Sequence, residues 1–172
     1  MNPRSCRLRQ SRDNPDDIRE AALRLLARRE HAARELQRKL CAKGYAPAGV
    51  DEVTAALARE GLLSDRRFVE SYVQGRVRRG WGPLRIKAEL GERGVDGELA
   101  EAYIDVNDGQ WRDIIRATRS RRFGDRPPED FQDRARQMRF LQSRGFTADQ
   151  IKYALASLRG EEDAAWDGGV DE

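Results

Sequence analysis

The sequence predicts an all-α protein of three tandem three-helix repeats stacked into an elongated, curved array, and three observations carry that prediction. Apolar residues recur at helical spacing along most of the chain, with no alternating run that would mark a strand. A helical segment followed by glycine and then a hydrophobic residue occurs three times, at Gly44-Tyr45, Gly94-Val95 and Gly145-Phe146, offset by 50 and then 51 residues. Such a recurrence marks an internal repeat, in which each glycine stops a helix and the next residue folds back onto its last turn. Helices of about 10–15 residues are marginal alone, so each must bury its stripe against neighbours.

Taken in order, residues 1–13 are polar and arginine-rich and read as a disordered basic leader. Asn14 and Pro15 then supply a cap and a first helical residue, and Asp16 and Asp17 favour the positive end of the helix dipole. Ile18, Ala22, Leu25 and Leu26 form the stripe of this helix, which is expected to run as far as Arg29. A second helix carries Ala33, Leu36 and Leu40 up to Gly44, and a third carries Val50, Val53 and Leu57 and closes at Gly61. These make the first repeat, residues 14–61.

The second repeat, residues 62–108, is expected to hold helices near 65–79, 83–93 and 97–107. Ser64 can cap the first of them, and Phe68, Val69, Tyr72, Val73 and Val77 form its apolar face. Gly80 can take the left-handed conformation that ends it, and Pro83 sits where a missing N–H costs nothing. Ile86 and Leu90 pack the next helix, which stops at Gly94. In the third repeat, residues 109–158, Trp111, Ile114, Ile115 and Thr118 open a helix. Phe131, Ala135, Met138 and Leu141 form the stripe of the middle one. Thr147 and Gln150 make a capping box for the last helix, packed through Ile151, Ala154, Leu155 and Leu158. Residues 159–172 read as an acidic disordered tail.

Composition narrows the function. Charged residues make up 37% of the 172 and hydrophobic ones 38%, which suits thin helical layers better than a thick core. The net charge of +3 hides an asymmetry: the last fourteen residues hold six acids against one arginine, leaving 32 basic and 24 acidic residues elsewhere. A basic body attracts phosphate or an acidic protein surface, and both fit. Cys6 and Cys41 are no disulfide framework, and no apolar run approaches the roughly 20 residues of a membrane span. A soluble, cytoplasmic protein is expected.

Catalytic chemistry finds little support. His31 is the single histidine, beside Arg34 and Glu35, and reads as structural or exposed. No Walker-type loop occurs, and Gly80-Trp81-Gly82 lacks the third glycine and the strand of a dinucleotide loop. Glu98, Glu101, Asp105 and Asp108 could share one helix face and hold Mg²⁺ for phosphodiester cleavage. A solvated face is the preferred reading of that stripe, because hard cations need ligands converging from several elements. Trp81 and Trp111 could stack on bases, but packing between helices is preferred for both. No metal or cofactor is expected.

The basic clusters are harder to dismiss. Between Leu62 and Arg93 eight basic residues face four acids, and between Arg112 and Arg126 six arginines face Asp113 and Asp125. Arginine carries nearly all of the charge, which favours bidentate recognition of carboxylate or phosphate. The expected contact surface is Arg66, Arg67, Arg76, Arg78, Arg79, Arg85 and Lys87, with Arg119, Arg121 and Arg122 as a second patch.

Four runs, ARREHAARELQRKL (27–40), GLLSDRRFVESYV (61–73), GWGPLRIKAEL (80–90) and RFLQSRGF (139–146), together resemble the RecX family of RecA regulators over about residues 18–158. The chain departs from the family pattern at Ala32, where a small hydroxyl residue is common. The resemblance implies a protein that binds the RecA recombinase and lies in the groove of its filament on single-stranded DNA; a monomer that is not an enzyme is expected. It would inhibit ATPase, strand-exchange and co-protease activities there, limiting recombination and the SOS response. The alternative is a free-standing module that competes for single-stranded DNA.

Overall fold

The computed structural model describes residues 14–156. The basic leader and the acidic tail expected from the sequence lie outside the described residues. Those described form nine helices and no strand: α1 (Pro15–Leu26), α2 (Ala33–Ala42), α3 (Pro47–Arg59), α4 (Asp65–Arg78), α5 (Pro83–Glu92), α6 (Gly97–Tyr103), α7 (Gln110–Phe123), α8 (Phe131–Ser143) and α9 (Ala148–Ala156). They group into two compact units. The first takes in the described residues as far as Tyr72 together with Leu90–Ala100, and the second takes in Val73–Glu89 and the described residues from Glu101 onward.

The repeated glycine signal has one structural cause. After α2, α5 and α8 the glycines Gly44, Gly94 and Gly145 take φ of 93°, 82° and 85°. The amides of Tyr45, Val95 and Phe146 then reach back to the carbonyls of Leu40, Leu90 and Leu141 at 3.4, 3.1 and 3.3 Å. This is the six-to-one bond of a Schellman stop, which satisfies a carbonyl the helix would otherwise orphan.

In the first unit α1, α2 and α3 pack around Ile18, Ala21, Ala22, Leu36, Leu40, Val50, Val53, Leu57 and Leu63. Asn14 caps α1 through the Asp16 amide, as its sequence predicts. The helix ends at Leu26 and not at Arg29, because Arg29 turns out of it: its carbonyl faces His31 Nδ1 and its guanidinium reaches Glu35. At α2 the N-cap residue is Ala32, which has no side-chain oxygen to offer. Asp65, at the start of α4, accepts the Ala33 amide at 2.7 Å instead, so a long-range cap stands in for a local one.

In the second unit α9 packs on α7 and α8. Its buried side chains include Ile86, Ile104, Trp111, Ile115, Leu141, Phe146, Ile151, Ala154 and Leu155. Thr147 and Gln150 form the predicted capping box, with bonds of 3.0 and 3.2 Å in the two directions. Gly82 brings α5 onto the α8–α9 link: its amide donates to the Arg144 carbonyl at 2.8 Å and the Leu84 amide to that of Gly145 at 3.0 Å.

Two expectations change here. The stripe of α8 is rotated, leaving Phe131 84% and Met138 41% exposed while Gln137 is buried beside Leu141. And α6 stops at Tyr103, short of residue 107, because the next carboxylates serve turns. Asp105 accepts the Asn107 amide at 2.8 Å, and Asp108 accepts the Gln110 amide at 2.8 Å.

Candidate functional site

The residues expected to form a contact surface fall into three groups. Arg66 and Arg67, on α4, belong to the first unit. Arg66 is exposed, whereas Arg67 donates to Glu30 at 2.9 Å and to the Gly61 carbonyl at 2.8 Å, tying α4 to the links that precede it. The other eight belong to the second unit.

Four of those eight have partners within the fold. Arg76 pairs with Glu89 at 2.7 Å, both largely buried, and lies over Trp81. Arg85 pairs with the same carboxylate at 3.2 Å and stacks on Trp81 at 4.4 Å. Lys87 faces Glu101 at 3.8 Å. Arg119 departs furthest from expectation, being only 2% exposed. Its Nε donates to Gln137 Oε1 at 2.8 Å, Nη1 to the Gly124 carbonyl at 2.9 Å and Nη2 to the Arg126 carbonyl. Burial lowers its guanidinium from the ordinary value, against the opposing pull of Asp125 and Asp133. It is a core strut that shapes the α7–α8 link, and it is removed from the candidate surface.

The remaining four, Arg78, Arg79, Arg121 and Arg122, are exposed. Three of them converge: Arg79 after α4 and Arg121 and Arg122 on α7 line a concavity of about 190 Å³ with Thr118, Phe140 and Arg144. Backbone carbonyls set this geometry. Arg121 donates to the Ala117 carbonyl at 3.1 Å and to the Arg78 carbonyl at 3.5 Å, and Arg144 to the Arg79 carbonyl at 3.3 Å. The carbonyl end of α4 thus holds two guanidiniums in place, the arrangement that the helix dipole favours. Arg144 also stacks on Trp81 at 4.6 Å and on Phe140 at 5.1 Å. Among the described residues no carboxylate pairs with Arg79, Arg121, Arg122 or Arg144.

Arg144 was missed by sequence reasoning, although a signal existed. A basic residue precedes the stop glycine in every repeat, as Lys43, Arg93 and Arg144. Gly80 is built into the same place, with φ of 74°, and a β-carbon there would come within 2.5 Å of Thr118 Oγ1. That close approach lets the chain after α4 reach α7.

The other candidates resolve as structure. Trp111 is buried and donates its indole N–H to the Asp105 carbonyl at 2.7 Å. With α6 ending at Tyr103, Glu98, Glu101, Asp105 and Asp108 do not share a helix face. Among the described residues no cluster of three metal-ligating side chains occurs, and no helix is long and apolar enough to cross a membrane. His31 is buried, its Nδ1 3.0 Å from the Arg29 carbonyl and its Nε2 3.1 Å from Lys39 Nζ. Burial, with the charges of Arg29 and Lys39, lowers its pKa. Burial pushes Glu35 the other way, but hydrogen bonds from Arg29 and Lys39 outweigh it and hold that carboxyl at about 2. This network sits in the first unit and braces α2.

Comparison with known proteins places all three repeats. Models described as the first, second and third three-helix domains of RecX match residues 19–57, 64–104 and 110–155. The chain is 49% identical over 140 residues to the regulatory protein RecX of Halorhodospira halophila, covering 81% of this chain and 87% of that one. It is 43% identical over 138 residues to that of Chromohalobacter salexigens, covering 80% and 90%. The fold is similar to the crystal structure of RecX from Lactobacillus salivarius, with a TM-score of 0.71 at 20% identity over 84% of this chain and 96% of that one.

Proposed function

Because the chain belongs to the RecX family of regulatory proteins, we propose that it binds the RecA filament on single-stranded DNA and restrains it by occupancy. On this reading it works in the cytoplasm as a monomer, lies in the filament groove and catalyses no reaction of its own. ATP hydrolysis, strand exchange and co-protease action fall as it binds, which limits recombination and the SOS response.

The observation that carries this reading is the group of arginines lining the α4–α7–α8 concavity without a carboxylate partner among the described residues. Most other basic side chains that could have served have internal work: Arg67, Arg76, Arg85 and Lys87 each pair with a glutamate. A cationic surface held in place by backbone carbonyls keeps its geometry before a partner arrives, which reduces the ordering cost of binding. Repeats joined in one chain raise the effective concentration of each later contact once the first has formed.

The test is RecA ATPase on saturating single-stranded DNA with substoichiometric protein. Inhibition well below one molecule per RecA protomer is expected, and its weakening in an Arg79→Glu, Arg122→Glu double variant of unchanged helical content. Inhibition that appears only when the protein saturates the DNA would replace this reading with competition for the strand.

A further inference from the structure

We infer that the concavity between the end of α4, α7 and the end of α8 is a phosphate-binding pocket, taking the phosphate of a nucleic-acid strand. The inference rests on the reading of this cluster as a contact surface and names the chemical group recognised there.

Two independent observations meet at this place. The first is cationic: Arg79, Arg121, Arg122 and Arg144 converge with no carboxylate partner among the described residues. Arg121 and Arg144 spend some donors on carbonyls, and among the described residues no bond engages Nη2 of either. The second is polar and buried. Thr118 is 5% exposed and lines the same concavity, and among the described residues its buried Oγ1 has no hydrogen-bond partner. A buried hydroxyl left unpaired has given up its bonds to water for nothing in return, so such a group calls for an explanation.

A tetrahedral oxyanion explains both. Its oxygens point in several directions and need donors from several elements, and here they come from the α4 end, from α7 and from the α8 end. A carboxylate has two coplanar oxygens and one charge, which a single guanidinium satisfies in bidentate fashion. Four guanidiniums lining one concavity exceed that need. Phosphate contacts from arginine and hydroxyl side chains are also the commonest way a protein holds a nucleic-acid strand without reading its sequence.

The experiment uses the full chain without recombinase and measures fluorescence anisotropy of labelled oligothymidylate at low salt. Arg122→Gln should weaken binding about tenfold, as loss of one charge-assisted bond implies, and Thr118→Val about threefold. The slope of log affinity against log salt should shrink by about 0.7 for Arg122→Gln, the value for one phosphate contact on a single strand. Arg24→Gln, which removes a surface charge in the first unit paired with Glu20, should change affinity less than twofold.

A methylphosphonate oligonucleotide with one 5′-phosphate identifies the source. Binding that survives on it and responds to Arg122→Gln assigns a terminal phosphate; binding confined to the natural backbone and equally responsive assigns the diester. Either outcome supports the pocket. Affinities within twofold of the parent for both variants on both probes, or no binding by the parent chain, would overturn it. The surface reading is judged separately. Variants that lose oligonucleotide but still inhibit RecA leave the pocket standing and detach it from regulation, whereas variants that lose inhibition with unchanged oligonucleotide affinity remove the pocket alone.

Discussion

Replacing Arg119 by alanine separates a structural arginine from a contact arginine more sharply than any other single change. The side chain donates to Gln137 Oε1 and to the carbonyls of Gly124 and Arg126 from a position 2% exposed. Removing one partner of a bond to a charged group costs about 1.5–3 kcal/mol, and three acceptors lose their donor together. The losses do not add in full, because Gln137 keeps a bond to Asp133 at 2.9 Å and the link can relax. A destabilisation of about 3–5 kcal/mol is therefore expected, a large fraction of the roughly 5–15 kcal/mol that holds a domain folded. Arg119→Lys keeps the charge without the planar fork and should cost less than the alanine while still destabilising the fold. Urea unfolding followed by circular dichroism measures both. A change below about 0.5 kcal/mol, the range of ordinary surface substitutions, combined with lost RecA inhibition, would return Arg119 to the surface and refute the reasoning.

Acid should destabilise the chain in two stages. His31 has a lowered pKa in the fold, so its contribution is present above the unfolded value of about 6.5 and is lost as pH falls below it. Glu35 is held at about 2, so its contribution is present above the unfolded value of about 4.3 and is lost between there and about pH 2. Urea titrations across pH should show His31→Gln flattening the upper window and Glu35→Gln the lower; curves parallel to the parent would contradict the assignment. At the α5 start, Gly82→Ala places a β-carbon 2.5 Å from the Gly145 backbone, an overpacking expected to cost about 1–3 kcal/mol. An unchanged melting temperature would show that the contact yields freely.

What the sequence made legible was local. The Schellman stops at Gly44, Gly94 and Gly145, the Thr147–Gln150 box and the Pro83 start each depend on a few consecutive residues, and each takes the form its residues predict. What it hid depends on how helices are rotated against one another. Phe131 and Met138 have a plausible apolar spacing, yet α8 buries Gln137 because Arg119 across from it needs an acceptor. Arginine counts could not tell Arg76, paired with Glu89, from Arg79, whose surroundings offer no carboxylate among the described residues. Asp65 capping α2 from 32 residues away is invisible for the same reason. Arg144 could have been found by aligning the repeats at their stop glycines.

RecA ATPase over saturating single-stranded DNA, read as a function of the ratio of this protein to RecA protomer, is the most direct measurement. The parent chain should inhibit well below one molecule per protomer. The Arg79→Glu, Arg122→Glu chain, with unchanged helicity and urea midpoint, should need several-fold more. Equal inhibition by the two chains would contradict the claim that this arginine cluster is where the regulator meets the filament.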